Sequence, residues 1–292
     1  MGEIQRPVYV SEAIFADEVG MQYGRYGDHV IKSAYQPIFS KSEQWLRPIA
    51  VEGLAAVYLR GERIPCKELF RKTPPEDKLF IESMCRALHL RNLHPAGLNK
   101  IDLYFNFDPS SHDRLEPSVR EIRYMAKRLT DMHINPRNLV CEVTESAALD
   151  DDVLLELVRE MRRHGIRLAI DDFGTGQSGW ERFELIEPDV VKIDSRWFQR
   201  LVAEPGAIDL LTRLVGKFHE FDIPVLVEGV ETPLHLQSAL DAGVERFQGY
   251  LFGRPALAGS QFNEHPVSLA SLLGAAPLYS LLQAEQQRRM YF

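Results

Sequence analysis

Short runs of apolar residues alternate with segments of helical periodicity along most of the chain. Apolar runs of this length, bounded by turn residues, predict buried β-strands, and their alternation with helices is typical of βα units. We predict eight strands, which cover residues 34–39, 48–57, 102–107, 139–143, 167–172, 190–193, 224–229 and 246–252.

Three of the intervening helices carry recognisable start and stop signals. Acidic residues at 150–152 and a glycine at Gly165 are typical of the two ends of one helix. Thr232 and Pro233 form the N-terminal signature of a second helix, and apolar residues repeat at helical spacing over 119–129. Eight strands separated by such helices predict an α/β fold of the (β/α)8 barrel type. A doubly wound open sheet is the alternative, because periodicity does not separate the two.

The composition fits one large globular domain, with 45% hydrophobic and 26% charged residues among 292. A net charge of −8 argues against binding to polymeric DNA or RNA, because phosphate contacts need clustered Lys and Arg. The cysteines Cys66, Cys85 and Cys141 have neither disulfide-framework nor zinc-site spacing, which favours a cytoplasmic protein. We expect neither a signal peptide nor a membrane partner, because no run reaches the ~18 apolar residues of a membrane span.

Nearly every predicted strand contains or ends in a polar residue. These residues are Gln36, Glu52, Asn106, Glu142, Asp171 with Asp172, Lys192, Glu228 and Gln248. A closed barrel brings the carboxyl ends of its strands to one rim, so the pattern predicts a single pocket. Carboxylates crowded into one pocket raise each other's pKa and need a counter-charge. Because the donors are oxygen atoms, without Cys or His, they favour hard cations such as Mg²⁺ or Mn²⁺.

The adjacent aspartates Asp171 and Asp172 precede Phe173 and Gly174. Neighbouring strand residues point to opposite faces, so we predict that the strand breaks into Phe173-Gly174-Thr175-Gly176 and lets the second carboxylate turn towards the first. One aspartate would then bridge two cations about 3.5–4 Å apart, an arrangement that suits in-line attack of a hydroxide on a phosphodiester. Lys192 would orient the attacking water or stabilise charge.

Eight segments of the chain resemble the EAL-domain family of cyclic di-GMP phosphodiesterases, in the order of that family. They are YQPI (35–38), VEGL (51–54), NFD (106–108), CEVTES (141–146), IDDFGTG (170–176), PDVVKID (188–194), VEGVET (227–232) and QGYLFGRP (248–255). The resemblance implies metal-dependent hydrolysis of cyclic di-GMP to linear pGpG in bacterial second-messenger signalling. It also implies a modified TIM-like (β/α)8 barrel in which one strand is antiparallel, and pairing into a homodimer.

The resemblance further implies a role for each matching residue. One Mg²⁺ or Mn²⁺ ion would be held by Glu52, Asn106, Glu142 and Asp171, and a second ion by Asp171, Asp172 and Glu228. Lys192 would contact the nucleophilic water, with Glu52 and Glu228 as further catalytic residues. The substrate would lie near Gln36, Leu54 and Gln248, and Glu145 would hold the DDFGTG loop in its working shape.

Two positions depart from the family pattern. Gly53 stands where the family has alanine, and Ala56 stands where it usually has an arginine that meets a substrate phosphate. Loss of one charge-assisted contact weakens binding by roughly 1.5–3 kcal/mol, so we predict weak substrate binding. The alternative function is a weak or inactive receptor for cyclic di-GMP, or a protein-interaction module. A barrel glycosidase using Glu142 and Glu228 is a third, unrelated hypothesis.

The chain divides by sequence into three parts. Residues 1–30 form an N-terminal extension whose apolar and acidic pattern predicts a short helix packed on the bottom of the barrel. Residues 31–264 form the EAL-type barrel, and residues 265–292 form a helix-prone C-terminal tail.

Overall fold

The computed structural model describes residues 7–98, 100–107, 115–144, 151–174, 179–262 and 264–274. The strands are β1 (Ile14–Ala16), β2 (Gln22–Tyr26), β3 (His29–Ser42), β4 (Trp45–Leu59), β5 (Glu62–Ile64), β6 (Asp102–Phe107), β7 (Leu139–Thr144), β8 (Arg167–Phe173), β9 (Val190–Ile193), β10 (Val225–Val227), β11 (Arg246–Phe247), β12 (Ala256–Leu257) and β13 (Val267–Ser268). The α-helices are α1 (Cys66–Lys72), α2 (Pro75–Leu93), α3 (Leu115–Asp131), α4 (Asp151–Arg163), α5 (Gly179–Ile186), α6 (Ser195–Ala203), α7 (Ile208–His219), α8 (Pro233–Asp241) and α9 (Leu269–Leu273).

Strands at all eight predicted places close into a barrel, although the last covers only Arg246–Phe247 and not 246–252. Their order is β3-β11-β10-β9-β8-β7-β6-β4, and β4 pairs back to β3. β3 runs antiparallel to both of its barrel neighbours, β4 and β11, whereas the remaining strands are parallel to one another. The modified barrel with one antiparallel strand is thus confirmed, and the open-sheet alternative is wrong because the sheet has no free edge between β3 and β4.

The predicted helices begin and end where their signals indicate. α4 starts in the acidic stretch, and the backbone N–H of Gly165 donates to the carbonyl of Arg162 just after the helix ends. At the start of α8, the Thr232 hydroxyl accepts a hydrogen bond from the backbone N–H of His235. Among the described residues, no helix is both long enough and apolar enough to cross a bilayer.

An apolar layer forms the floor of the barrel interior. Seven strands contribute one fully buried side chain each: Ile38, Ala50, Tyr104, Val140, Ala169, Val190 and Leu226. A larger apolar cluster lies between the outer face of the strands and the surrounding helices. Because side chains on one face of a strand repeat every second residue, the next layer of inward-pointing side chains lies two residues further along each strand.

The prediction of a short helix on the barrel bottom is wrong for the N-terminal extension. Apart from a 3-10 helix at Val10–Ala13, its described residues form β1 and β2, which continue the sheet from β3. β2 pairs with the first residues of β3, as in Arg25 opposite Val30, and therefore lies at the mouth, the end where the parallel strands finish. The cause is a hairpin with Gly27 at a φ of 56° in its turn, a conformation that glycine adopts readily.

The predicted C-terminal tail is described as far as Gly274. β13 pairs with the start of β4, and α9 follows it directly. Residues 275–292 lie outside the described residues, so the helical prediction for that part is untested. The domain boundaries at residues 30 and 264 stay predictions.

Candidate active site

A ring of polar side chains lies directly above the apolar floor, towards the mouth. On each strand, the member lies two residues nearer the mouth than the floor residue. On β11 the residue at floor level is Arg246, which pairs with Leu226, and the member is Gln248. The members are Gln36, Glu52, Asn106, Glu142, Asp171, Lys192, Glu228 and Gln248. Since a two-residue step keeps a side chain on the same face, the strand pattern alone brings eight residues that are distant in sequence to one level of the barrel.

Lys192 is the centre of this ring. Its side chain is fully buried, and its Nζ lies 2.5 Å from Glu142 Oε1, 2.7 Å from Glu228 Oε1 and 3.1 Å from Asp171 Oδ1. Glu52 Oε2 is more distant, at 3.8 Å. One ammonium group therefore faces carboxylates from four strands or strand ends, and it cannot neutralise all of them.

Asp172 joins the ring through a break in strand β8. Its φ is 58°, and the pairing of β8 with β9 shifts register between Ile170 and Phe173. This bulge re-aims a side chain that a regular strand would point outwards, and aspartate tolerates the left-handed conformation better than most residues. Carboxylate oxygens of Asp171, Asp172 and Glu228 consequently lie within 4.8 Å of one another. Strand β8 ends at Phe173, within the predicted break, but the backbone already departs from the strand conformation at Asp172; residues 175 and 176 of that break lie outside the described residues.

The electrostatics of the ring differ strongly from those of exposed groups. Burial raises the pKa of Glu142 well above its ordinary value, and Glu52 raises it further. Burial also raises the pKa of Glu228 to about 8 and that of Asp172 to about 6. Burial alone would lower the pKa of Lys192, but the carboxylates around it raise that pKa far above the ordinary value. Carboxylates in such a position take up a proton unless a cation balances them.

The donor set of the ring fits divalent cations. Glu142 Oε2 and Gln248 Oε1 are buried and accept no hydrogen bond from the described residues. The carboxylates of Glu52, Glu142, Asp171, Asp172 and Glu228 with the ammonium of Lys192 give a formal charge of −4. Two divalent cations would balance that charge, and carboxylate and amide oxygens are the donors that hard ions prefer.

Two of the residues expected near the substrate, Gln36 and Gln248, are members of the polar ring, and the third, Leu54, lies next to it. Gln248 Nε2 donates to Glu52 Oε2 at 2.7 Å, and Asn106 Nδ2 lies 3.4 Å from Glu52 Oε1. Gln36 donates to the backbone carbonyl of Gly253 at 3.2 Å. Leu54 is half-buried and lies two residues beyond Glu52 on the same face of β4. Glu145, expected to support the DDFGTG loop, lies outside the described residues.

One relationship at this site was missed by sequence reasoning. Gly53, next to Glu52, has the ring of buried His89 packed against it, so that an added Cβ would stand 2.8 Å from His89 Cγ. His89 is fixed from two sides, because its Nδ1 lies 3.0 Å from Ser33 Oγ and its carbonyl accepts a hydrogen bond from Tyr35 Oη at 2.6 Å. Glycine at position 53 is therefore a packing requirement of this chain.

Known relatives share the sequence pattern over most of the barrel. The EAL domain family model matches residues 28–255. The cyclic di-GMP phosphodiesterase NbdA of Pseudomonas aeruginosa is 31% identical over 180 residues, which cover 61% of this chain and 22% of NbdA. The cyclic di-GMP phosphodiesterase RocR of the same organism is 29% identical over 180 residues, which cover 61% of this chain and 45% of RocR. The chain thus spans less than half the length of these curated relatives.

Solved structures share the fold as well. BlrP1 of Klebsiella pneumoniae, in complex with manganese and cyclic di-GMP, superposes with a TM-score of 0.71 at 25% identity, covering 82% of this chain and 59% of BlrP1. YkuI of Bacillus subtilis, in complex with cyclic di-GMP and calcium, gives 0.69 at 23% identity, covering 89% and 62%, and this likeness concerns the fold alone. The barrel, its polar ring and the match over residues 28–255 establish that the chain belongs to the EAL domain family.

Proposed function

We propose that this protein hydrolyses cyclic di-GMP to linear pGpG in a reaction that depends on divalent cations. The observation that carries the proposal is the polar ring, in which four carboxylates face the buried ammonium of Lys192 and a fifth, Asp172, lies beside two of them. Relatives named as cyclic di-GMP phosphodiesterases support the choice of substrate. Family membership removes the support for a glycosidase using Glu142 and Glu228.

The ring residues divide into two groups of cation ligands. Glu52, Asn106, Glu142 and Asp171 would hold one ion, and Asp171, Asp172 and Glu228 would hold the other. When bound, divalent cations supply positive charge that acidifies water and balances charge on phosphate. We propose Mg²⁺ or Mn²⁺ for this role, because the ligand atoms are all oxygen.

Lys192 acts on the same reaction as a fixed hydrogen-bond donor. The attacking water loses a proton as its oxygen forms a bond to phosphorus, the bond from phosphorus to one ribose oxygen breaks, and the released ribose oxygen takes up a proton. The Lys192 ammonium lies within 3.1 Å of three carboxylates but donates no hydrogen bond of good geometry to the described residues, so its N–H groups can orient the attacking water or stabilise the negative charge that develops. Glu52 and Glu228, which face the same ammonium, assist by fixing its position.

The test is chromatographic detection of pGpG. The purified chain is incubated with cyclic di-GMP and Mn²⁺ or Mg²⁺, beside Asp171→Asn and the matched control Asp241→Asn, whose carboxylate is exposed on α8. We expect product from the wild type and from Asp241→Asn, and none from Asp171→Asn or with EDTA. Product from Asp171→Asn, or product without metal, would contradict the proposal.

The second candidate is a receptor that binds cyclic di-GMP without rapid hydrolysis. The observation that favours it is Ala56, a buried methyl group where a phosphate-binding arginine was expected. A titration that shows bound cyclic di-GMP without product would select this function. The intact set of cation ligands favours catalysis.

A homodimer in the cytoplasm is the setting we propose. The pairing surface would include α5, where Trp180 is 40% exposed beside Phe183, and Phe221 nearby is 52% exposed. Cys66, Cys85 and Cys141 are unpaired thiols, which supports a reducing compartment. Sedimentation of the wild type and of Trp180→Ser tests the pairing, since a dimer through α5 is expected to weaken in the variant.

A further inference from the structure

The sheet formed by β2, β3 and β4 extends beyond the polar ring at the mouth, and α2 covers one of its faces. Gly24 packs so closely on this side that an added Cβ would lie 2.5 Å from Met84 Sδ. Ser33 on β3 contacts His89, and Tyr26 on β2 donates to Asp77 at 2.7 Å. Gly24, Tyr26 and Ser33 therefore point towards α2, and the residues that alternate with them point the other way.

The opposite face continues the inner wall of the barrel. Along the β3–β4 pair, Gln36 lies opposite Glu52, Ala34 opposite Leu54, and Lys32 opposite Ala56, without a break in register. Residues directly opposite one another in an antiparallel pair share a face. Lys32 consequently lies on the same face as Glu52, four residues nearer the open end of the sheet, a step of about 14 Å along the strand.

Further cations and aromatic rings share this face. Arg25 and Tyr23 on β2 alternate with the residues that touch α2, and Arg63 on β5 lies opposite Tyr58 on β4. The ring of Tyr23 stacks on exposed Phe15 with centroids 5.8 Å apart. The Arg25 guanidinium lies 5.4 Å from the Phe15 centroid. We call Tyr23, Arg25, Lys32, Tyr58 and Arg63 the basic wall.

The cations of the basic wall have no carboxylate partner among the described residues, although Arg25 also lies over the rings of Phe15 and Tyr23. Within the described part of the chain, Arg25, Lys32 and Arg63 form no ion pair with a carboxylate. They stand together although the chain carries a net charge of −8. Positive charge next to an acidic, cation-binding pocket suits a ligand with phosphates at more than one point.

Cyclic di-GMP is such a ligand, since its sugar–phosphate macrocycle contains two phosphates and carries two purine bases. The polar ring would act on one phosphate, so the second needs a separate cation. On β3 and β4, the first cation above the polar ring on this face is Lys32, because the intervening positions carry Ala34, Leu54 and Ala56. Aromatic and guanidinium planes further along the wall suit the faces of purine bases.

We propose that Lys32 binds the non-scissile phosphate of cyclic di-GMP and replaces the cation that Ala56 does not provide. The proposal rests on the function proposed above and assigns it a substrate-binding residue. Lys32 is half-buried and has Tyr23 and Ala56 as its cross-strand neighbours, so part of its side chain is held against this face. Binding would gain from that restraint, because less side-chain freedom is lost when the substrate arrives.

The experiment compares Lys32→Gln with Lys41→Gln. Lys41 is an exposed lysine on the same strand β3, at the opposite end of the barrel, and it controls for loss of one positive charge. KM and kcat for cyclic di-GMP are measured with Mn²⁺. We expect Lys32→Gln to raise KM roughly tenfold or more, with kcat within about threefold of wild type, and Lys41→Gln to leave both unchanged. Thermal unfolding of both variants confirms that they fold.

Equal KM values for Lys32→Gln and Lys41→Gln would overturn the assignment, as would a fall in kcat without a change in KM. Binding of cyclic di-GMP with Ca²⁺ in place of Mn²⁺ gives an independent reading, and Lys32→Gln is expected to raise Kd by the same factor. If the wild type binds cyclic di-GMP without hydrolysing it, the proposed catalysis fails while the loss of affinity in Lys32→Gln still supports the phosphate contact. If the wild type does not bind it, both proposals fail.

Discussion

Lys192 and Glu142 form a fully buried ion pair in the barrel, with Lys192 Nζ 2.5 Å from Glu142 Oε1. Asp171 and Glu228 lie within 3.1 Å of the same ammonium, so this one positive charge restrains several negative ones. Removing a single partner from a buried cluster leaves the others uncompensated and destabilises a protein by about 3–5 kcal/mol.

The first prediction concerns Lys192→Met, which keeps an unbranched side chain one atom shorter than lysine and removes its charge. We expect kcat to fall by about a hundredfold or more, while KM changes little, because the ammonium acts on the attacking water. We also expect a lower melting temperature without metal and partial recovery with Mn²⁺, since divalent cations would balance the carboxylates.

Lys217→Met is the control for that prediction. Lys217 is half-exposed and pairs with Glu220 on the surface, where an ion pair contributes about 0–1 kcal/mol. Equal stability and equal turnover of the two variants would show that the buried cluster has no special role.

The second prediction concerns the contact between Gly53 and His89. We expect Gly53→Ala to destabilise the fold by about 1–3 kcal/mol, as overpacking does, and to weaken Mn²⁺ binding because the neighbouring Glu52 moves with the strand. His89→Ala in the same chain removes the ring that the added methyl group would meet. The double variant should therefore lose less unfolding free energy than the sum of the losses in the two single variants.

Gly216→Ala is the matched control, because an added Cβ at this helical glycine meets nothing within 4 Å. Its alanine should be neutral or stabilising by up to about 1 kcal/mol. Chemical denaturation and calorimetric Mn²⁺ titration measure both variants, and a Gly53→Ala protein that behaves like Gly216→Ala would refute the packing argument.

The third prediction is an acid-side loss of stability that arises at His89. Burial, together with the nearby positive charge of Arg86, lowers the pKa of His89 to about 3. The unfolded chain takes up a proton on this histidine below about pH 6.5, whereas the folded chain does not until about pH 3. Stability from this group is therefore present above pH 6.5 and falls by up to about 1.4 kcal/mol per pH unit on acidification.

Unfolding free energies measured from pH 7 to pH 4 check this expectation. His89→Gln should flatten the pH dependence by the equivalent of one proton, whereas His94→Gln, at an exposed position that ends α2, should not change it. An unchanged slope in His89→Gln would mean that His89 ionises in the folded protein as it does in the unfolded one.

The sequence predicted the barrel and its polar ring because both depend on local patterns. Each barrel strand is a separate apolar run, and each of Glu52, Glu142 and Lys192 stands at a fixed step along its own strand. Because these strands run in one direction around the barrel, residues at the same position along each strand lie at the same level. The apolar run and the polar residue that follows it can both be seen in the sequence of a single strand.

Features that depend on contacts between segments were not predictable in this way. The closeness of Gly53 to His89 joins a strand to a helix, and the bulge at Asp172 depends on how β8 meets β9. Lys32 lies two residues before the predicted strand 34–39, and its position opposite Ala56 follows only from the pairing of β3 with β4. The prediction of weak substrate binding rested on Ala56 alone and took no account of that neighbour.

Equilibrium dialysis against Mn²⁺ measures whether the polar ring holds two divalent cations with Asp171 between them. We expect two ions per chain for the wild type and for Asp241→Asn, and fewer than two for Asp171→Asn, because Asp171 lies within the carboxylate group formed with Asp172 and Glu228. Two ions bound equally by the wild type and Asp171→Asn, or none bound by either, would contradict the account.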